Sequence, residues 1–203
     1  MSGPVGLRER KKAATRAALS AAANRLAIEH GVENVTVEAI AAAADVSPRT
    51  FHNYFSSREE AIVASIVDWA VALTDKLRDR PADEPIWDSL LAVLLDGLED
   101  SPEAKARWKA QSDMIMANPS VVASQLAALD GMRRRVTAAV AERTGTDPAV
   151  DLYPHLAGGV AAMALKSAMD LWLTGDSGRG IKDLVTEAFA MLRAGLPQPP
   201  RTP

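Results

Sequence analysis

The stretch whose reading decides the fold is Thr36-Val37-Glu38-Ala39-Ile40-Ala41-Ala42-Ala43-Ala44-Asp45-Val46-Ser47-Pro48-Arg49-Thr50-Phe51-His52-Asn53-Tyr54-Phe55. It reads as two short helices, 37–44 and 48–54, meeting at the tight turn Ala44-Asp45-Val46-Ser47. Ser47 before Pro48 is a helix start: the hydroxyl can cap, and the ring occupies a first-turn position whose N–H has no helical partner. Helices this short are not stable alone in water. They must pack on longer neighbours through Val37, Ile40, Ala41, Val46, Phe51 and Phe55. Phe51 and Phe55 stand at i and i+4 and share a face, which leaves Arg49, Thr50, His52 and Asn53 toward solvent. A guanidinium, a hydroxyl, an imidazole and an amide suit base edges and phosphates in a major groove. From spacing alone, a DNA-reading helix-turn-helix and an ordinary helical hairpin stand level.

Outward from this stretch the periodicity is helical almost throughout, rich in Ala and without clean apolar/polar alternation. Leu19, Ala22, Ala23, Leu26 and Ala27 form a stripe that stops at Gly31. Ile62, Val63, Ile66, Ala70, Leu73 and Leu77 form a second, and Ile181, Leu184, Val185, Ala188, Phe189 and Leu192 a third. Ser101-Pro102, Asn118-Pro119 and Asp147-Pro148 repeat the cap-then-proline signal, and Ser57 with Glu60 has capping-box spacing. The expectation is an all-α chain of about nine helices: 8–30, 37–44, 48–54, 58–79, 85–99, 102–117, 119–143, 148–174 and 179–194. The expected domains are a helix-turn-helix domain at 1–56, a larger helical domain at 57–195, and a proline-rich disordered tail at 196–203.

Composition narrows the function. A net charge of -3 over 203 residues excludes coating of nucleic acid by charge alone, but not a local reading face. The charge is uneven: residues 1–60 carry 8 Lys+Arg against 7 Asp+Glu, and residues 61–203 carry 15 against 19. Arg8, Arg10, Lys11, Lys12 and Arg16 crowd the beginning, making a basic arm or a solvated helix face. With no cysteine, disulfides and thiolate chemistry are absent. No uninterrupted apolar run reaches the roughly 20 residues of a membrane span, and the N-terminus lacks a secretory pattern, so a cytoplasmic protein without membrane contact is expected. Three histidines at 30, 52 and 155, with no HExxH, GxSxG or P-loop, give neither an enzyme nor a metal site. No cofactor is expected. A helical partner-binding module is the remaining rival, and it would leave Arg49 and Thr50 unemployed.

The order Thr36-Val37-Glu38-Ala39-Ile40-Ala41, then Asp45-Val46-Ser47-Pro48-Arg49-Thr50-Phe51-His52-Asn53-Tyr54-Phe55-Ser56-Ser57-Arg58-Glu59-Glu60, resembles the DNA-binding signature of the TetR family. The resemblance covers about the first 65 residues. It implies a three-helix DNA-binding head on a ligand-binding body, acting as a homodimer on a (pseudo)palindromic operator, most often as a repressor released by a small molecule. It further implies that Thr36 contacts phosphate, and that Arg49, Thr50 and His52 face the groove. Tyr54 and Arg58 would lie on the DNA backbone. Ser47, Pro48 and Asn53 complete the expected DNA-binding set, with Arg10, Lys11 and Lys12 as a phosphate-contacting arm. The family often has Gly at the position of Asp45, Tyr at His52 and His at Asn53. Those departures bear on which operator is read.

For the body the signals are thinner. The stripe Ile181, Leu184, Val185, Ala188, Phe189 and Leu192, with Leu152, Leu156, Gly159 and Met163 of the preceding helix, is the candidate dimer interface. Gly158, Ala161, Ala162 and Ala164 would permit close helix approach there. A buried intramolecular helix pair would show the same pattern, and the resemblance favours the dimer. An apolar or amphipathic effector would need an apolar pocket with few polar anchors. The candidates are Trp87, Trp108, Met114 and Met169 for the lining, and Gln111, Asp113, His155 and Asp170 for the anchors.

Overall fold

The computed structural model describes residues 6–175 and 178–198. Among the described residues there are nine α-helices and no strand: α1 Leu7–His30, α2 Val37–Ala43, α3 Pro48–His52, α4 Arg58–Arg78, α5 Ile86–Gly97, α6 Pro102–Met116, α7 Pro119–Thr144, α8 Tyr153–Thr174 and α9 Ile181–Arg193. The chain divides into two compact units, one of residues 1–69 with 109–130, the other of residues 70–108 with 131–203. The boundaries between these units fall within α4, α6 and α7. From residue 199 onward the expected tail lies outside the described residues.

The first unit is built around two rings. Phe51 and Phe55 are buried, with centroids 5.6 Å apart, among Leu19 and Ala23 of α1, Ile40 and Ala41 of α2, and Ile62 and Val63 of α4. Ile115 and Val121 join the same core from the ends of α6 and α7. α1 stops where Gly31 takes φ +82, a conformation that side-chain-bearing residues rarely adopt, while its N–H bonds the Ala27 carbonyl at 3.1 Å. Thr36 caps α2 by accepting from the Ala39 N–H at 3.1 Å, and Ser57 accepts from the Glu60 N–H at 3.1 Å. The return arm of that capping box differs from the usual one. The Glu60 carboxylate accepts from the N–H and the hydroxyl of Ser56, both at 2.7 Å, one residue before the cap. The Ser20 hydroxyl is buried in this unit without a hydrogen-bond partner among the described residues.

In the second unit α8 packs on α9, and α5 packs on both. The α9 stripe is spent here: Ile181, Leu184, Val185 and Phe189 are buried within the unit, Ala188 and Leu192 half-buried. Phe189 meets the Trp87 ring edge-to-face, with centroids 5.6 Å apart. These side chains are therefore not at the surface where a dimer contact was expected, because α5 and α8 already cover them. Gly158 is likewise an internal contact. A Cβ there would lie 2.9 Å from Val136 Cγ1 of α7, whereas one at Gly159 would meet nothing within 4 Å.

Asp147-Pro148 does not open α8. The Asp147 carboxylate accepts from the Ala149 N–H at 2.9 Å, and Asp151 accepts from the Asp147 N–H at 2.8 Å, closing a separate turn. The helix begins at Tyr153, with Pro154 in its first turn. By length and composition alone α8 is apolar enough to cross a membrane, a property that core helices also have, and Lys166 and Asp170 interrupt its apolar run. α9 has no cap of its own at Gly180. Asp100, 81 residues away in sequence, accepts from the Ile181 N–H at 3.2 Å.

The loop after α4 is fixed by polar groups. Arg143 of α7 donates to the carbonyls of Arg80 at 2.7 Å, Pro81 at 2.8 Å and Glu84 at 3.3 Å, and to the Ser89 hydroxyl at 3.0 Å. Glu84 accepts from Arg80 and from Ser89, and these bonds hold its carboxyl down to about 2. A depressed carboxylate stabilises the fold above its unfolded value and loses that contribution as pH falls through the folded one. Glu84→Gln should therefore lower the melting temperature at neutral pH, and the gap from wild type should close as pH falls from 4.5 towards 2; melts across that range check it. Gly158→Leu should destabilise the fold by about 1–3 kcal/mol and lower the melting temperature, while Gly159→Leu should leave the monomer's helix content and melting temperature unchanged by circular dichroism.

Candidate nucleic-acid interface

α3 is the shortest helix of the nine, running Pro48–His52 and not to residue 54 as expected. Its end tightens: the Tyr54 N–H bonds the Phe51 carbonyl at 2.9 Å, as does that of Phe55 at 3.0 Å. The i-to-i+3 bond turns the chain so that the second ring drops beside the first. At the other end the Ser47 hydroxyl accepts from the Thr50 N–H at 3.1 Å and lies 2.9 Å from the Thr50 hydroxyl. The turn before it passes through Asp45 at φ +54. Asp tolerates this left-handed conformation better than most residues with a Cβ.

With Phe51 buried, Ser47, Pro48, Arg49, His52 and Asn53 are exposed and Thr50 is half-buried. Among the described residues no carboxylate pairs with Arg49. Its exposed guanidinium is therefore available to an outside anion. Thr36 is exposed at the start of α2, and Arg10, Lys11 and Lys12 are exposed on the first turns of α1. Glu38 and Asp45 are the acids of the motif itself.

Arg58 and Tyr54, the two expected DNA-backbone contacts, both have contacts within the unit. Arg58 donates to the Val35 carbonyl at 2.7 Å and to Glu59 at 2.9 Å, tying the start of α4 to the segment before α2. Burial alone would raise the Glu59 carboxyl, yet bonds from Arg58, its own backbone and Ser57 leave it below the usual carboxylate range. Tyr54 is half-buried against the core. Arg58 was expected on the DNA backbone from the family resemblance alone; its acceptors here include backbone carbonyls that only the fold brings near.

The eight expected pocket residues are distributed between the units. Gln111, Asp113 and Met114 belong to the first, where Gln111 donates to Ser65 at 3.2 Å, Asp113 pairs with Lys109 at 2.8 Å, and Met114 packs on the head core. Trp87, Trp108, His155, Met169 and Asp170 belong to the second. There Asp170 is exposed and paired with Lys166, and the His155 ring nitrogen lies 2.8 Å from the Pro148 carbonyl. Trp87, Trp108 and Met169 are half-buried.

The profile for bacterial regulatory proteins of the tetR family matches residues 19–64, and that for the MftR C-terminal domain matches residues 84–197, more than half of the chain. The chain belongs to the TetR family. It is 33% identical to the HTH-type transcriptional regulator TcmR of Streptomyces glaucescens over 161 residues, covering 76% of this chain and 70% of that one. It is 25% identical over 187 residues to MftR of Mycobacterium tuberculosis, named as a regulator of mycofactocin biosynthesis, covering 92% and 93%. The fold is shared with the TetR-type repressor FadR of Thermus thermophilus, solved with lauroyl-CoA, at a TM-score of 0.56 and 21% identity over 92% and 97% of the two chains. As a member of this family the chain is a DNA-binding transcriptional regulator and not an enzyme.

Arg49→Ala should weaken binding to a specific site by about 1–3 kcal/mol and relax selection at one base position. Arg58→Ala should instead lower the melting temperature of the first unit and leave the salt dependence of DNA binding unchanged. Anisotropy titrations at several salt concentrations, beside thermal melts, separate the two roles.

Proposed function

We propose that the protein is a repressor that binds a (pseudo)palindromic operator as a homodimer and is released by a small apolar or amphipathic effector. One α3 reads only a few base pairs, so selectivity needs two heads about 34–36 Å apart, matching successive major grooves. The observation that carries the reading is the outer face of α8. Leu152, Leu156 and Met163 are 67%, 52% and 64% exposed, and Gly159 lies open between them. A line of large apolar side chains at helical spacing on the surface of one protomer supports a helix-to-helix contact with a second. Of the expected interface, the α8 half is retained in this proposal, while the buried α9 stripe supports α8 from behind.

Effector control follows from the same geometry. A molecule that binds better to a dimer with mismatched head spacing shifts the population away from DNA. The lauroyl-CoA held by FadR of Thermus thermophilus is an amphipathic molecule of the kind proposed, and half-buried Trp87, Trp108 and Met169 remain the candidate lining. Met163→Glu tests the core of the proposal. It should give a folded monomer by analytical ultracentrifugation and lose operator binding by at least a hundredfold, because avidity between linked sites is worth about 10²–10⁴. A dimeric Met163→Glu protein with wild-type affinity would sink the α8 interface.

A further inference from the structure

The basic start of α1 divides into two kinds of residue. Arg10, Lys11 and Lys12 have exposed side chains, whereas Arg16 turns inward. Its Nε donates to both carboxylate oxygens of Asp68 on α4 at 3.2 Å. Its Nη1 donates to the Tyr54 carbonyl at 3.3 Å, and its guanidinium carbon lies 4.5 Å from the centroid of the Phe55 ring. One side chain of α1 thus holds α4, the chain leaving α3, and the second ring beneath the reading helix.

As a source of stability this ion pair is weak. The two side chains remain 31% and 42% exposed, and pairs so open to water contribute little. What a guanidinium supplies here is direction. Its donors form a rigid planar fork and its face stacks on an aromatic ring, two things a lysine ammonium cannot do together. The Tyr54 carbonyl also lies just beyond the tightened end of α3, so a small displacement there tilts the whole five-residue helix.

We propose that Arg16 is a positioning residue for DNA reading: held by Asp68, it fixes the end of α3 and thereby the aim of Arg49 and His52, without touching DNA. The proposal rests on α3 being the reading helix. It opposes simple electrostatics in sign. Were Arg16 a phosphate contact, removing it would reduce the salt slope of binding by about 0.9. Were Asp68 only an acid on a DNA-binding unit, neutralising it would tighten binding.

The test uses the full chain, an operator duplex recovered by selecting genomic fragments on the wild-type protein, and a scrambled duplex of equal length. Anisotropy titrations at several salt concentrations would compare R16Q, R16K, D68N, R16Q/D68N and R49A at a temperature where circular dichroism shows every variant folded. D68N is expected to weaken operator binding roughly tenfold, a coupling of the size found between residues in direct contact, while binding to the scrambled duplex stays equal or tightens. R16K should behave as R16Q, the salt slope should not change, and the double variant should be no weaker than either single one. Wild-type or tighter operator binding by D68N overturns the proposal, as does a slope reduced by about one in R16Q, or losses that simply add. R49A distinguishes the two levels. If it binds the operator as well as wild type, the reading helix itself is misassigned; if R49A weakens and D68N does not, the positioning role alone is wrong.

Discussion

The DNA-binding unit depends on two phenylalanine rings being kept out of water. A five-residue α3 has a single complete turn and gains almost nothing from its own hydrogen bonds. It holds its shape because Phe51 and Phe55 are buried together, each contributing about 1.5–3 kcal/mol. The Ser47 cap and the tightened end after Phe51 remove the alternatives at either side. The outward residues then have no freedom to choose where they point. Arg49, His52 and Asn53 face solvent because their neighbours at i and i+4 must not.

Much of this was legible before any coordinates. The i, i+4 pair of rings, the Ser47-Pro48 start and the Gly31 stop are local signals, and local signals survive folding. What the sequence did not disclose was partners distant along the chain. Arg58 and Arg16 are exposed cations by composition but find carbonyls and a carboxylate 23 to 52 residues away. Asp100 caps a helix that begins 81 residues later. No periodicity records such contacts.

The second unit teaches a different lesson about apolar stripes. The regular stripe of α9 and the interrupted one of α8 looked like two halves of one interface. In the fold they do different work: α9 fills the interior beside α5, and α8 carries a buried face of small residues and an outer face of large ones. Gly158 and Gly159 mark the seam between those faces, one pressed against Val136 and the other open. A stripe identifies the residues that avoid water, and the topology decides what covers them. For the effector pocket the sequence offered only residue types, and Met114 and Asp113 have duties within the head or on its surface that their types did not disclose.

The head is not a continuous length of chain. Its core draws on residues 19–64 and again on Ile115 and Val121, with residues 70–108 of the other unit between them. During synthesis, which proceeds from the N-terminus at about 5–20 residues per second, the reading helix emerges early but lacks part of its core until Val121 has left the ribosome. The nascent chain must therefore carry Phe51 and Phe55 incompletely covered for several seconds, at the cited rate. A gene shortened to its recognisable motif would make that interval permanent.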